Sequence, residues 1–514
     1  MEQKYLIGID SGTSVIKAVV FDLDGKELGK HGIALPNVED PAVCYSQDMN
    51  QVWEFAQISV MEAIKKAGIL AEDVIGIGIT AQGAGTWMMD ENGEPTHPGI
   101  CWCDGRAVKT AEKMHQDGTA KKVYDLVGNA VYAGSQAVQL RWLKENNPEV
   151  LQRTKTIFRV KDWLFYKLTG IISCDTTDES LPFLNMEKRC LEPKSFELHG
   201  IEDLIGKKPP ILEPEDNKGV LKEELARKFG MKEDVIVTGG PMDCISCPLG
   251  VGVTEPGQVC STIGTAGIHV LAMDHVDFRP AMVAGNLTHA PRNRWLRLLD
   301  AISATPSIEW FIRNFEYEDI EYAKENGITQ YEYMDQLISS IPIGCDGVTF
   351  HPYLAPAGER APFINGNAKG SFFGLSYQHT RAHLLRAVYE GVAFAALDCY
   401  KHFPMEIKEI RMAGGGSNSP VWCQMFADMA GVTVLVPEGS EFGAKGAVMV
   451  TGIALGIYKD YRDAIDRTVK LNRTYVPDME NHKVYEKYYE VYLTLRKHFD
   501  AVWNERARIL AEIK

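Results

Sequence analysis

Apolar, β-branched residues open the chain in two short runs split by small and polar ones. The run YLIGIDSGTSVIKAVVFD, within residues 4–22, predicts a strand, a tight glycine-containing turn and a second strand. Asp24-Gly25 marks the next reversal, into KELGKHGIALP, so three strands are expected as a meander. Helical spacing follows near 49–67 and 106–118, around a strand VIGIGIT at 74–80. Residues 190–235 are polar and proline-bearing (KKPPILEPEDNKG) and read as a surface excursion. Near the end, Tyr485, Tyr489, Tyr492, Leu493 and Leu495 predict the buried stripe of an amphipathic helix over 481–513.

The opening pattern recurs. Residues 257–273 read GQVCSTIGTAGIHVLAM, and laying Gly264-Thr265 on Gly12-Thr13 brings Ile268 onto Ile16 and Leu271 onto Val19. The offset of 252 residues is close to half the chain, which suggests duplication into two similar domains, 1–252 and 253–514. The copies differ where chemistry would sit: Asp10 in the first faces Thr262 in the second. Only the first turn has a carboxylate able to hold a metal.

A length of 514 residues calls for more than one hydrophobic core. A net charge of −15 argues against a nucleic-acid partner, since phosphate backbones select basic faces. It leaves ATP open, because local N–H groups and a metal ion suffice for a nucleotide. Eleven dispersed cysteines read as reduced thiols of a cytoplasmic protein. The close pairs Cys101/Cys103 and Cys244/Cys247 have no second pair of matching spacing, so a structural zinc site is not expected. The opening MEQKYLIGIDSG shows no basic stretch and no long apolar core, and no apolar run reaches the roughly 18 residues of a membrane span. No signal peptide and no membrane partner are expected.

Five places could carry chemistry. In Asp10-Ser11-Gly12-Thr13-Ser14, glycine permits a sharp reversal that aims N–H and hydroxyl groups at one space suited to phosphate, and Asp10 ends a strand where it can hold Mg²⁺. A plain hairpin turn explains the same residues. The repeated turn Ser261-Thr262-Ile263-Gly264-Thr265 makes the two together look like paired phosphate clamps. Gly414-Gly415-Gly416-Ser417-Asn418 lets a flat ligand approach the backbone, with Ser419 as cap and Pro420 at the first position of a helix that stops at Gly431. The strand VTVLVP and the small-residue helix GAKGAVMVTGIALG then complete a βαβα unit. Asp243 follows the strand DVIVTG and the turn Gly239-Gly240, and a carboxylate there can take a proton from an acceptor hydroxyl or cap the next helix. Finally Gln82, Trp102, Asp104 and Arg106 could line a polyol pocket, or form a surface ion pair.

With these in view, the chain resembles the FGGY carbohydrate kinases over essentially its whole length. The most specific match is GSFFGLSYQHTRAHLLRAVYEGVAF, residues 370–394, in which Gly374-Leu375, His383-Leu384, Ala387 and Glu390 have the spacing of the family's C-terminal signature. YLAPAGERAP, residues 353–362, is similar to a family loop, and GIDSGTSVIKAVVFD is similar to xylulokinases. The resemblance implies an α/β fold of two actin/hexokinase-like (ribonuclease H-like) domains with a catalytic cleft between them, and ATP with Mg²⁺. It makes Asp243 the general base and Asp10 the metal-side carboxylate. Thr13, Ser14, Gly264 and Thr265 become phosphate contacts, Gly415, Gly416 and Asn418 flank the adenosine, and Gln82, Trp102, Asp104 and Arg106 fall on the sugar side.

Two departures bear on the acceptor. After Gln82, xylulokinases usually carry Met-His and glycerol kinases Arg-Glu, whereas this chain has Gly83-Ala84, closer to L-xylulose-type and erythritol-type kinases. The Gln139-Leu140-Arg141-Trp142 step lacks the lysine usual before L-x-W. The expected reaction is transfer of the γ-phosphate of ATP to a small sugar or polyol, foremost a ketopentose such as xylulose. Erythritol, another polyol or an autoinducer are the alternatives, and the resemblance leaves a homodimer open. An actin-like ATPase with a protein partner, or a sugar sensor without catalysis, would keep the fold and drop the transfer.

Overall fold

The computed structural model describes residues 3–38, 43–279, 282–283, 285–315 and 317–513. It divides into two compact units. The first comprises Met1–Pro256, Ala272–Arg297 and Gly439–Lys470, and the second Gly257–Leu271, Leu298–Glu438 and Leu471–Lys514.

The first unit opens with the expected meander: β1 (Tyr5–Ser11), β2 (Val15–Asp22) and β3 (Glu27–Ala34), each antiparallel to the one before. Helix α1 (Met49–Ala67) starts where Asp48 accepts the Asn50 and Gln51 amide hydrogens and ends at left-handed Gly68. It buries Val52, Ala56, Val60 and Ala63 in the core that β1 and β2 line with Ile7, Ile9 and Val20. β4 (Val74–Ala81) pairs parallel with β1, and the sheet is completed by β5 (Lys218–Val220) and β6 (Ile236–Thr238), in the order β5-β6-β4-β1-β2-β3.

Residues 190–235 are thus more than a surface excursion. They bury Phe196, Ile201, Leu204 and Phe229, and Lys218–Val220 is the edge strand of the sheet. Their prolines sit between short elements, and the apolar residues among them are too widely spaced to show a period. The stretch predicted helical near 106–118 contains the helix Val108–Gln116. Helix α2 (Val160–Thr169) and helix α3 (Asp243–Gly250) belong to the same unit.

The second unit repeats the plan. β7 (Gln258–Ile263) and β8 (Gly267–Met273) are antiparallel; β9 (Glu409–Ala413) pairs parallel with β7 and β10 (Thr433–Pro437) with β9, and β11 (Leu471–Tyr475) closes antiparallel on β10. The order β8-β7-β9-β10-β11 matches β2-β1-β4-β6-β5 in position and direction. The copies align through Asp10 and Thr262, both half-buried one residue before the strand end. Past the turn they slip by one. Ser11 pairs with Ile16, but Ile263 pairs with Gly267, so the second turn is one residue shorter. Gly267, not Ile268, takes the place of Ile16, and Ile268 is correspondingly half-buried.

The family-signature segment forms helix α4 (Arg381–Lys401), whose Leu385–Tyr400 stretch is buried. Arg386 Nε donates to Glu390 at 2.9 Å and the Gly344 amide donates to Glu390 at 3.2 Å, so the signature glutamate clamps a loop within this unit. Helix α5 (Pro420–Ala430) begins and ends as its sequence predicts, with the Ser419 hydroxyl accepting the Trp422 amide hydrogen and left-handed Gly431 closing it.

The segment expected to finish a βαβα unit behaves differently. Helix α6 (Phe442–Ala454) belongs to the first unit, where it packs on β1, β4 and α3. A Cβ on Gly8 would lie 2.6 Å from the Ala444 carbonyl oxygen, and one on Gly78 would lie 2.5 Å from that of Ala447. The strand glycines and the helix's small residues therefore serve one contact, the backbone-to-backbone approach of α6 to the sheet. Helix α7 (Met479–Ile513) is the amphipathic helix expected at the end, burying Tyr485, Tyr489, Tyr492 and also Trp503. Among the described residues no helix is long and apolar enough to cross a membrane.

Candidate active site

Asp10, Gln82 and Asp243 stand at or beyond the carboxyl ends of parallel strands, the edge of α/β sheets where ligands usually bind. Asp10 is next to last in β1, Gln82 follows β4, and Asp243 follows β6. Asp10 pairs across the sheet with Lys17 and Thr80. The Lys17 ammonium stands 3.8 Å from Asp10 and 2.7 Å from Glu441, just before α6. Burial pushes the Asp10 carboxyl above its ordinary range, Lys17 pulls it back, and Glu441 adds to the rise. A half-buried carboxylate with incomplete compensation suits a hydrated Mg²⁺, which takes one or two carboxylates plus substrate phosphates.

Asp243 is held by a clamped turn. Gly240 takes φ +42, and a Cβ there would lie 1.8 Å from the Ile79 carbonyl oxygen, so only glycine fits. Thr80 Oγ1 donates to the Pro241 carbonyl at 2.8 Å, and the Met242 amide donates to Thr177 Oγ1 at 3.2 Å. Asp243 then begins α3 as its first residue, with Met242 at the cap position, and Oδ1 accepts the Cys244 amide hydrogen at 2.6 Å. Burial raises its carboxyl to about 7, with further pushes from the charges of Asp10 and Asp178. A carboxylate tuned to that value can hold or release a proton near neutrality, as general-base catalysis needs.

The remaining first-unit candidates are linked. Trp102 Nε1 donates to Thr13 Oγ1 at 2.9 Å, Thr13 Oγ1 donates to Gln82 Oε1 at 3.1 Å, and Gln82 Nε2 donates to Gln47 Oε1 at 3.0 Å. Thr13, expected beside phosphate, is thus hydrogen-bonded to two residues expected beside the sugar; Ser14 is exposed on the same turn. Asp104 and Arg106 form a buried pair with contacts of 2.8 and 2.9 Å, and Asp104 also accepts the Tyr45 amide hydrogen at 2.6 Å. Together they hold the loop that carries Trp102.

The sequence reading missed a buried ionic cluster. Lys161 on α2 meets Asp162 at 2.7 Å, Asp178 at 3.3 Å and Asp175 closer still, while Lys208 meets Glu179 at 2.6 Å and Arg159 lies 3.6 Å from Glu179. Burial draws the Lys161 ammonium down, but the three aspartates outweigh it and hold it well above an ordinary lysine. Asp162, Asp175 and Asp178 lie close enough together to ligate a metal, yet Lys161 already supplies their cation. One signal was available: Lys161-Asp162 interrupts the otherwise apolar start of α2, VKDWLFYKL. Asp175, Asp178 and Glu179, in DTTDES, have the composition of a surface loop.

In the second unit the short turn and the glycine loop are neighbours. The Gly264 carbonyl accepts from the Thr305 amide at 2.9 Å and hydroxyl at 2.8 Å, and that of Thr265 accepts the Ala304 amide hydrogen at 3.2 Å. Thr265 is exposed and Gly264 has open space where a Cβ would be. Gly414 leaves β9 at φ +81, and a Cβ on Gly416 would lie 2.5 Å from the Ile263 side chain. Gly416 is therefore a packing glycine, while Gly415 presents open backbone and Asn418 is exposed.

Two sheets of matching strand order, each opening on a Gly-Thr turn, define a duplicated α/β fold with candidate ligand groups along one strand-end edge of each copy. The chain belongs to the FGGY family of carbohydrate kinases: its N-terminal domain matches residues 5–250 and its C-terminal domain residues 259–455. It is 28% identical to an erythritol kinase of Brucella abortus, over 98% of either chain. It is 27% identical to an L-xylulose/3-keto-L-gulonate kinase of Escherichia coli, over 95% of this chain and 96% of that one. The crystal structure of a xylulose kinase from Lactobacillus acidophilus shares its fold, with a TM-score of 0.89 at 22% identity over 98% of this chain and 99% of that one. The protein is a carbohydrate kinase, and sugar kinases of this family use ATP, typically with a divalent metal.

Proposed function

We propose that this kinase transfers the γ-phosphate of ATP to a hydroxyl of a small neutral sugar or polyol, foremost a ketopentose such as xylulose. The observation that carries this reading is Asp243: a carboxyl at a parallel-strand end, fixed by a clamped turn and raised to about 7. As that carboxylate takes the acceptor's proton, the acceptor oxygen attacks the γ-phosphorus in line and ADP leaves. Residues 1–252 are the sugar and metal side, with Gln82 and Trp102 toward the acceptor and the Asp104–Arg106 pair bracing the loop that carries Trp102. Residues 253–514 are the nucleotide side, with Gly264 and Thr265 toward phosphate, Gly415 and Asn418 toward adenosine, and Gly416 packing their loop against Ile263. Thr13 and Ser14 meet the transferred phosphate from the first turn. Asp10 would hold Mg²⁺, which neutralises charge on the phosphate oxygens. The protein is proposed to act in the cytoplasm.

A tetritol is the second reading, since Gly83-Ala84 offers the acceptor no side chain larger than a methyl and a Brucella relative is named for erythritol. The test is ADP release with Mg-ATP across D- and L-xylulose, D- and L-ribulose, erythritol, xylitol, glycerol and an autoinducer precursor. Turnover on one ketopentose supports the first reading and turnover on erythritol the second. ADP release equal with and without every acceptor would overturn both.

A further inference from the structure

Two elements outside the glycine loop fix its shape. Gly415–Asn418 form one short 3₁₀ turn between β9 and the Ser419 cap of α5. Its last carbonyls meet a guanidinium: Arg473 Nη2 donates to the Ser417 carbonyl at 2.7 Å, and Nη1 to the Asn418 carbonyl at a longer 3.4 Å. Nη1 also donates to the Tyr475 hydroxyl at 3.3 Å. Arg473 and Tyr475 are two apart on β11, so both point from the same face of that strand. The carbonyls that end a helical turn lack partners within it and carry its negative end, which a cation offsets.

Ser419 ends the loop with a second anchor. Its hydroxyl lies 2.8 Å from either carboxylate oxygen of Asp335, in the helix Gln330–Ser339, and accepts the Trp422 amide hydrogen at 3.0 Å. The loop is thus held from Ser417 to Ser419, while Gly415 has nothing within 4 Å of a Cβ and Asn418 is exposed. Stability by itself is a poor reason for the arginine. Its Nε is buried with no hydrogen-bond partner among the described residues, a cost that an apolar side chain on this strand would avoid. What arginine supplies is a planar fork that can hold two carbonyls at once. A peptide unit is planar, so holding the Ser417 and Asn418 carbonyls sets the planes on both sides of the Asn418 Cα, and with them the direction of its side chain.

We propose that Arg473 is a positioning residue for the nucleotide: by fixing both peptide planes of Asn418, it keeps the Gly415–Asn418 turn in the shape that receives adenosine. This rests on the kinase reading, in which that turn takes the adenosine, and deepens it. The role is confined to the adenosine end. Among the described residues, the hydrogen bonds of Arg473 go to Ser417, Asn418 and Tyr475, none of them a phosphate or acceptor candidate. Lysine at this position brings a point charge that reaches one carbonyl, not a fork that spans two.

The test compares wild type, Arg473→Lys and Arg473→Met in acceptor-dependent ADP release, with adenosine and tripolyphosphate as separate inhibitors competing with ATP. Arg473→Met is expected to raise the adenosine inhibition constant about tenfold, the scale of a lost hydrogen bond from a charged donor, and KM for ATP with it. The tripolyphosphate constant and the acceptor KM should stay within about twofold, a separation that general damage to the fold would not give. Arg473→Lys should raise the adenosine constant only about threefold, since it keeps the charge and one contact. Should Arg473→Met fail to fold, the lysine variant carries the same comparison. An adenosine constant that does not move, or one that rises in step with that of tripolyphosphate, overturns the assignment while leaving the kinase intact. A wild type that releases no ADP with any acceptor is a different failure: it removes the kinase reading and this inference with it.

Discussion

Lys17 stands 2.7 Å from Glu441 and 3.8 Å from Asp10, so the ammonium bonds to one carboxylate and lends only its charge to the other. The arrangement keeps Asp10 available. Glu441→Gln removes the stronger partner, and Lys17 is then expected to close on Asp10 and compete with Mg²⁺. A part-exposed ion pair of this kind is worth up to about 1 kcal/mol, which converts to a roughly fivefold higher half-saturating Mg²⁺ concentration. Titrating Mg²⁺ against acceptor-dependent ADP release reads this directly, and an unchanged midpoint removes Asp10 from the metal side.

Asp243 is expected to set the pH profile. With its carboxyl raised to about 7, kcat/KM should climb with pH below that value and level off above it. Asp243→Asn should lower kcat by about 10²–10⁴ with ATP affinity retained, as measured by calorimetry with the nucleotide alone. Near-normal turnover would return Asp243 to a purely structural place at the start of α3.

The same residue makes a stability prediction of definite sign. Folded Asp243 keeps its proton to higher pH than the unfolded chain does, so its contribution is fully present only below the ordinary value of 3.8 and is lost as pH rises from there through about 7. Asp243→Asn cannot lose a charge-forming proton there. The variant should therefore melt above the wild type at pH 8, with the difference shrinking toward pH 5. A difference that grows as pH falls would contradict burial as the cause of the shift.

Lys161→Met should damage the first unit severely. It leaves Asp162, Asp175 and Asp178 buried without the cation they share, and removing one partner from a buried ion pair typically costs about 3–5 kcal/mol. Gly78→Val should also destabilise, by about 1–3 kcal/mol or more, because its Cβ meets the Ala447 carbonyl oxygen at 2.5 Å. Denaturant unfolding of each variant checks both, and wild-type midpoints would mean that the cluster or the α6 contact relaxes freely.

Much of the local plan was legible in the sequence. The meander, the repeated strand–turn–strand, the Ser419-Pro420 start and Gly431 stop of α5, and the aromatic stripe of α7 all follow from short-range rules. Candidate residues at strand ends were legible for the same reason, since a carboxylate or glycine just past a β-rich run is visible without knowing its neighbours. The alignment of the copies held up to Asp10 and Thr262 and then slipped by one, because similar letters beyond a turn do not report how many residues the turn contains.

What the sequence alone determined, then, is the opening meander, the duplication and the ends of single helices, because periodicity and turn chemistry act within a few residues. Tertiary structure decided which sheet α6 covers, whether Asp104 and Arg106 face each other, and that Lys161, Asp175 and Asp178 share one buried site. Those outcomes depend on close approach and desolvation between segments far apart in the chain. Gly8 and Gly78 read as weak strand residues until Ala444 and Ala447 arrive against them. Asp178 reads as a loop residue until burial strips away its water and Lys161 comes within 3.3 Å of it.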